Sequence, residues 1–136
     1  MYTLSDPEEL YGQKDLIYRK ETYNLISCCL EVHNALGRGF LEAVYKDALA
    51  IEFQLNEIDF EREKKFEINY KGKPLPHYYH ADFVVNGKII LEVKAQENII
   101  GNHYKQLINY LAASDLKLGL LVNYGENSLK FKRVIL

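Results

Sequence analysis

The apolar residues of this chain change their period along its length, and the changes mark its elements. Over residues 17–36 they recur at helical spacing, as Leu25, Cys28 or Cys29, Val32 and Leu36, until Gly37-Arg38-Gly39 ends the run. A second helix is predicted over residues 41–56, with Val44, Ala48, Ile51 and Leu55 as its buried stripe. The period then shortens. Residues 60–70 alternate weakly through Phe66, Ile68 and Tyr70 and read as a strand, closed by a turn at Lys71-Gly72-Lys73-Pro74. Residues 80–95 read as two apolar strands joined at Asn86-Gly87, a strong short-range hairpin signal. Residues 101–113 return to helical spacing with Leu107, Ile108 and Leu111, and residues 117–124 form a buried strand. After a turn at Gly125-Glu126-Asn127, residues 129–135 alternate as a sheet edge would. Residues 1–15 are polar and mixed, and Ser5-Asp6-Pro7-Glu8 suits a short helix or an ordered arm. The order ααβββαββ, without repeats or a linker, predicts one α/β domain over 1–136.

Three charges interrupt the central hairpin: Asp82, Glu92 and Lys94. Charged groups in a buried strand pair are costly unless paired or bound to a metal. Glu92 and Lys94, two apart, share a strand face; the face of Asp82 depends on the turn. A two-residue turn would pair Val85 with Lys88, set Asp82 opposite Leu91 and turn Glu92 away. A three-residue loop, with Gly87 at positive φ in a G1 bulge, groups Asp82 with Glu92 and Lys94. That register also gathers Phe83, Val85, Ile89, Leu91 and Val93 on the core side. A one-residue slip would flip them all, so the bulged register is the expectation.

Asp82 followed by Glu92-Val93-Lys94 resembles the core of the PD-(D/E)xK nuclease superfamily, an acidic residue followed by (D/E)-x-K. Gly39-Phe40-Leu41-Glu42-Ala43-Val44-Tyr45 matches the G-x-x-E-x-x-Y signature that names one small bacterial branch of that superfamily. Gln106-Leu107-Ile108-Asn109-Tyr110 matches the Q-x-x-x-Y element that some branches carry on the helix after the core strands. The D…ExK spacing alone is common; its specificity comes from all the pieces standing in order from about Leu25 to the C-terminus. The resemblance implies a restriction-endonuclease-like α/β sandwich, a mixed central sheet flanked by helices. It also implies a metal-dependent nuclease that hydrolyses the phosphodiester bonds of nucleic acid.

On that resemblance Glu42, Asp82 and Glu92 are oxygen ligands, a hard set suited to Mg²⁺ or Mn²⁺ rather than zinc. The Val93 carbonyl is the extra ligand usual in relatives. Lys94 would stand beside the attacking water, and Gln106 would position water or phosphate. Glu42 and Tyr45, three apart, share a helix face, as do Gln106 and Tyr110, four apart, with His103 a turn earlier. Tyr45, His80 and Tyr110 are the substrate-binding or supporting candidates, His80 because it shares the strand face of Asp82. His77 and His33 read as structural. The plain alternative makes Glu92 and Lys94 an ordinary ion pair, Asp82 a solvated edge residue, Glu42 a complement to a helix dipole and Tyr110 a packing rim.

Composition narrows the partners. The chain has 136 residues and a net charge of −2, so no global basicity marks a dedicated nucleic-acid-binding domain, although an acidic metal site tolerates that balance. The adjacent Cys28 and Cys29 form neither a disulfide framework nor a zinc pattern and suit a reducing cytoplasm. No apolar run reaches a membrane span and no signal-peptide core precedes the first helix. The basic clusters Arg62-Glu63-Lys64-Lys65, Lys71, Lys73 and Lys130-Phe131-Lys132-Arg133 read as solvated faces or as the lining of a strand path. The small size and the C-terminal edge strand admit a homodimer. Two other classes compete with an enzyme: a catalytically idle interaction module of the same fold, and a structural or oligomerising protein whose carboxylates merely pair with lysines.

Overall fold

The computed structural model describes residues 17–98 and 101–136; the expected N-terminal arm or helix lies outside them. Among the described residues two helices come first, α1 (Arg19–Leu36) and α2 (Glu42–Leu55), then strands β1 (Phe60–Tyr70), β2 (Lys73–Val85) and β3 (Ile89–Lys94). Helix α3 (Gly101–Ser114) carries the chain over to β4 (Leu118–Asn123), and β5 (Lys130–Ile135) closes the sheet. The strands lie in sequence order, β1-β2-β3-β4-β5, all antiparallel except the β3–β4 pair, which α3 joins in a parallel crossover. The result is a mixed sheet with helices on both faces, the fold expected of a restriction-endonuclease-like domain. No helix among the described residues is long and apolar enough to cross a membrane.

β3 runs through the middle, and its alternate residues feed two cores. Ile89, Leu91 and Val93 pack with Phe83, Val85, Leu120 and Val122 against α1 and α2. Ile90 packs with Val84 and Leu121 against Leu107, Tyr110 and Leu111 of α3. Gly119 lets α3 approach, because a Cβ there would stand 2.7 Å from a Leu107 methyl. Cys28 and Cys29 pack in α1, burial pushing their thiols up to about 11 and about 12.

The β2–β3 turn has the expected register. Val85 pairs with Ile89, Val84 with Ile90 and Phe83 with Leu91, leaving a three-residue loop. Gly87 takes φ 65°, and Asn86 is also left-handed at 54°, so the turn uses the tolerance of both residues for positive φ. The buried stripe of α2 differs from the expectation. Tyr45, Leu49 and Phe53 face the core, whereas Val44, Ile51 and Leu55 are exposed and Ala48 is half-buried. The helix carries two overlapping apolar stripes, and the one bearing the two aromatic rings wins. Tyr45 stacks on Tyr124 at 4.5 Å, and Phe53 meets Phe83 and Phe60 edge-on or tilted.

Candidate active site

The site opens where β2 and β3 part. Their ladder stops at Phe83–Leu91. One residue further, Asp82 Oδ2 accepts the Val93 N–H at 2.8 Å, a carboxylate standing in for a strand carbonyl. Its Oδ1 accepts from Lys46 Nζ at 3.0 Å. Glu92, next to Val93 and only 3 % exposed, leaves its buried Oε1 without a hydrogen-bond partner. Burial first, then the hydrogen bond and charge of Asp82, push the Glu92 carboxyl up to about 10, against the pull of Lys94.

Lys94 closes β3, and its Nζ donates to Gln106 Oε1 of α3 at 3.4 Å. The backbone just beyond it is clamped by Asn123, a fully buried amide. Asn123 Oδ1 accepts the Gln96 N–H at 3.0 Å and its Nδ2 donates to the Gln96 carbonyl at 2.8 Å, while the Tyr124 N–H bonds the Lys94 carbonyl. One turn before Gln106, half-buried His103 is held below its ordinary range by burial and the Lys94 charge, with Glu42 opposing. Tyr110 lies on the same helix with its ring 4.8 Å from Tyr79. Burial, then the Glu92 and Asp82 carboxylates, push its hydroxyl up to about 12.

Helix α2 brings its first residue, Glu42, to the same place. Tyr45 fixes how it arrives: its hydroxyl donates to the Gly37 carbonyl at 2.7 Å and accepts the Phe40 N–H at 3.2 Å, tying down the loop before the helix. Tyr45 is fully buried, and its hydroxyl holds the loop that leads into the N-terminus of α2. His80 is exposed, its ring edge-on to Tyr78 on the β1–β2 ribbon.

Lys46 and Glu63 join the site without having been expected. Lys46 stands one turn after Glu42, and its Nζ lies 3.7 Å from Glu42, 3.3 Å from Glu63 and 3.0 Å from Asp82. Burial lowers the ammonium, but Asp82 and Glu63 outweigh it and hold it above its ordinary range. Glu63 has φ 54° inside β1. The β1–β2 ladder pairs Arg62 with Phe83 and Lys64 with Ala81, and that one register sets Glu63 opposite Asp82. A left-handed glutamate costs roughly 1–3 kcal/mol and persists only where its surroundings require it. Lys46 had a readable signal in its four-residue spacing from Glu42; Glu63 had none, because nothing in a glutamate announces positive φ.

The model of the PD-(D/E)XK nuclease superfamily matches residues 19–134. The chain belongs to that superfamily. No curated protein matches it significantly. Among solved structures it is similar to that of SSO0001, at TM-score 0.56 and 23% identity, over 90% of this chain and 61% of that one. The chain thus spans less than two thirds of that relative. It is also similar to an alkaline exonuclease, LHK-Exo, from Laribacter hongkongensis, at TM-score 0.51 and 10% identity, over 98% of this chain and 76% of that one. At those identities the likeness concerns the fold.

Members of the PD-(D/E)XK superfamily generally depend on divalent metal. As they stand, no three His, Cys, Asp or Glu side chains among the described residues converge at ligand spacing. Glu42, Glu63 and Asp82 share the Lys46 ammonium instead. The set nevertheless fits a hard divalent cation. Its donors are all oxygens, and the unpartnered Glu92 Oε1 is the kind of buried acceptor that is costly to leave unmet.

Proposed function

We propose that the protein is a metal-dependent nuclease that hydrolyses phosphodiester bonds, and that it belongs to the G-x-x-E-x-x-Y branch, on Gly39, Glu42 and Tyr45. The observation that carries the reading is the pair of buried carboxylates, Asp82 and Glu92, set beside the Lys94–Gln106 contact where two strands part. A structural ion pair would satisfy its acceptors, whereas Glu92 leaves one open.

Glu42, Asp82 and Glu92 would hold Mg²⁺ or Mn²⁺, with the Val93 carbonyl as a further ligand. Once bound, such an ion makes a water more acidic and neutralises charge growing on a phosphate. The rest falls to the side chains. Lys94 orients the attacking water and stabilises the developing negative charge with its ammonium. Gln106, in contact with that ammonium, fixes its direction and offers its amide N–H to the phosphate. Tyr110 and His103 border the same space from α3. Nucleic acid is the partner this chemistry requires.

The reading is tested by titrating Mn²⁺ calorimetrically into the wild type and Asp82→Asn, followed by Mn²⁺-dependent cleavage of labelled nucleic acids. Saturable binding that the substitution abolishes, with cleavage lost in Lys94→Ala by about 10²-fold or more, is the expected result. Binding without cleavage of DNA or RNA would favour the idle interaction module; no binding at all would remove the metal-dependent reading.

A further inference from the structure

We propose that Lys46 is an internal cation occupying the metal site, that a divalent ion enters only by displacing its ammonium, and that Glu63 is an additional carboxylate of that site. This rests on the metal-dependent reading above and adds residues to it that the D…ExK, G-x-x-E-x-x-Y and Q-x-x-x-Y elements do not contain.

The geometry is that of a cation site already filled. One ammonium lies within 3.0–3.7 Å of carboxylates from α2, β1 and β2, elements far apart in sequence. Its side chain is 15% exposed and that of Asp82 10%, so the charges meet away from bulk screening. The pairing is not an accident of long surface side chains, because the β1–β2 register sets Glu63 opposite Asp82, with Lys46 reaching both. A second and independent feature points to a ligand. Glu92, 3% exposed, lies against Asp82, yet its Oε1 accepts no hydrogen bond. The ammonium spends its hydrogen bonds on Glu63 and Asp82, and none reaches Glu92. A divalent ion takes six or more oxygens and has room for all of them.

Exclusion follows from charge. Two cations cannot share Asp82 Oδ1 and the oxygens beside it, so binding the metal and keeping the Lys46 contacts are alternatives. The metal-free protein thereby avoids leaving a cluster of carboxylates uncompensated, at the expense of affinity for the ion. Glu63, released from Lys46, becomes available to the metal directly or through a bound water.

The test combines Mn²⁺ calorimetry on the wild type, Lys46→Met, Glu63→Gln and Asp82→Asn with amine acylation of the wild type read by mass spectrometry. Removing the competitor is expected to tighten Mn²⁺ binding about tenfold or more in Lys46→Met. Glu63→Gln is expected to weaken it several-fold. In the wild type, which avoids any folding defect of the variants, saturating Mn²⁺ is expected to accelerate acylation of Lys46 and leave that of exposed Lys88 unchanged. Binding in Lys46→Met alone, with none in the wild type, would overturn the displacement, because the ion then never replaces the ammonium. If the wild type binds Mn²⁺ through Asp82 while Lys46→Met has the same affinity and Lys46 acylation does not change, the displacement is wrong and the nuclease reading stands. Unchanged affinity in Glu63→Gln would remove Glu63 from the site. If neither the wild type nor Lys46→Met binds Mn²⁺, the proposal and the metal-dependent reading both fail.

Discussion

Glu92 is the residue of the candidate site whose environment pH will expose. Buried and beside Asp82, its carboxyl rises from an ordinary 4.5 to about 10, so the folded, metal-free protein keeps a proton there that the unfolded chain has released. Between those two values the native state binds the extra proton, and stability therefore falls as pH rises. Denaturant unfolding of the metal-free protein should show this loss from acid to mildly alkaline pH, and Glu92→Gln should flatten it. A metal needs the ionised carboxylate. Mn²⁺ binding near neutral pH should accordingly release about one proton, seen as a dependence of the calorimetric heat on the ionisation enthalpy of the buffer. A buffer-independent heat would mean that Glu92 does not ligate.

At the scale of elements, the candidate site depends on how β3 and α2 are fastened. β3 brings Glu92 and Lys94 on one strand, and Asn123 ties the chain beyond them to β4. Helix α2 is set by Tyr45, whose hydroxyl bonds both ends of the Gly37–Phe40 loop. Tyr45→Phe keeps the ring and the stack on Tyr124 but loses both hydrogen bonds. It should cost about 1–2 kcal/mol in urea unfolding and weaken Mn²⁺ binding, because Glu42 starts that helix. Unchanged stability together with a raised KM for nucleic acid would instead mark Tyr45 as a substrate contact.

Over the whole molecule the charge is unevenly spread. β2 pairs with β3 only over Phe83–Val85, whereas β1 and β2 pair along their full lengths, so the far part of their ribbon extends past the sheet. Between residues 64 and 80 Lys64, Lys65, Lys71 and Lys73 face a single Glu67, a net +3 that leaves the rest of a −2 chain at −5. Exposed Tyr78 and Tyr70 carry Lys65 and Lys71 over their rings at 4.5 and 5.4 Å. Under the proposed function this ribbon meets the phosphate backbone while the acidic remainder holds the metal. The double variant Lys71→Glu, Lys73→Glu should weaken nucleic-acid binding by anisotropy titration and lower the slope of log affinity against log salt by about two. Mn²⁺ affinity should not change.

The sequence by itself determined the order of elements, the α/β layering and the register of the central hairpin, because only one register puts Phe83, Val85, Ile89, Leu91 and Val93 on a common face. That register brought Asp82 beside Glu92, and the spacing of Gln106 on its helix brought it to Lys94. Local periodicity suffices for such features, since each depends on neighbours a few residues away. The buried face of α2 was not legible: Val44, Ile51 and Leu55 make as good a stripe as Tyr45, Leu49 and Phe53, and only the rings waiting on Phe83 and Tyr124 decide between them. Nor were the contacts of Lys46 and Glu63. Lys46 lies 17 residues from Glu63 and 36 from Asp82, and their meeting depends on how α2 packs beside the β1–β2 pair, which no local pattern encodes. Tertiary structure decided those contacts, because charges are compensated by whatever the fold brings near, and distance along the chain does not limit it.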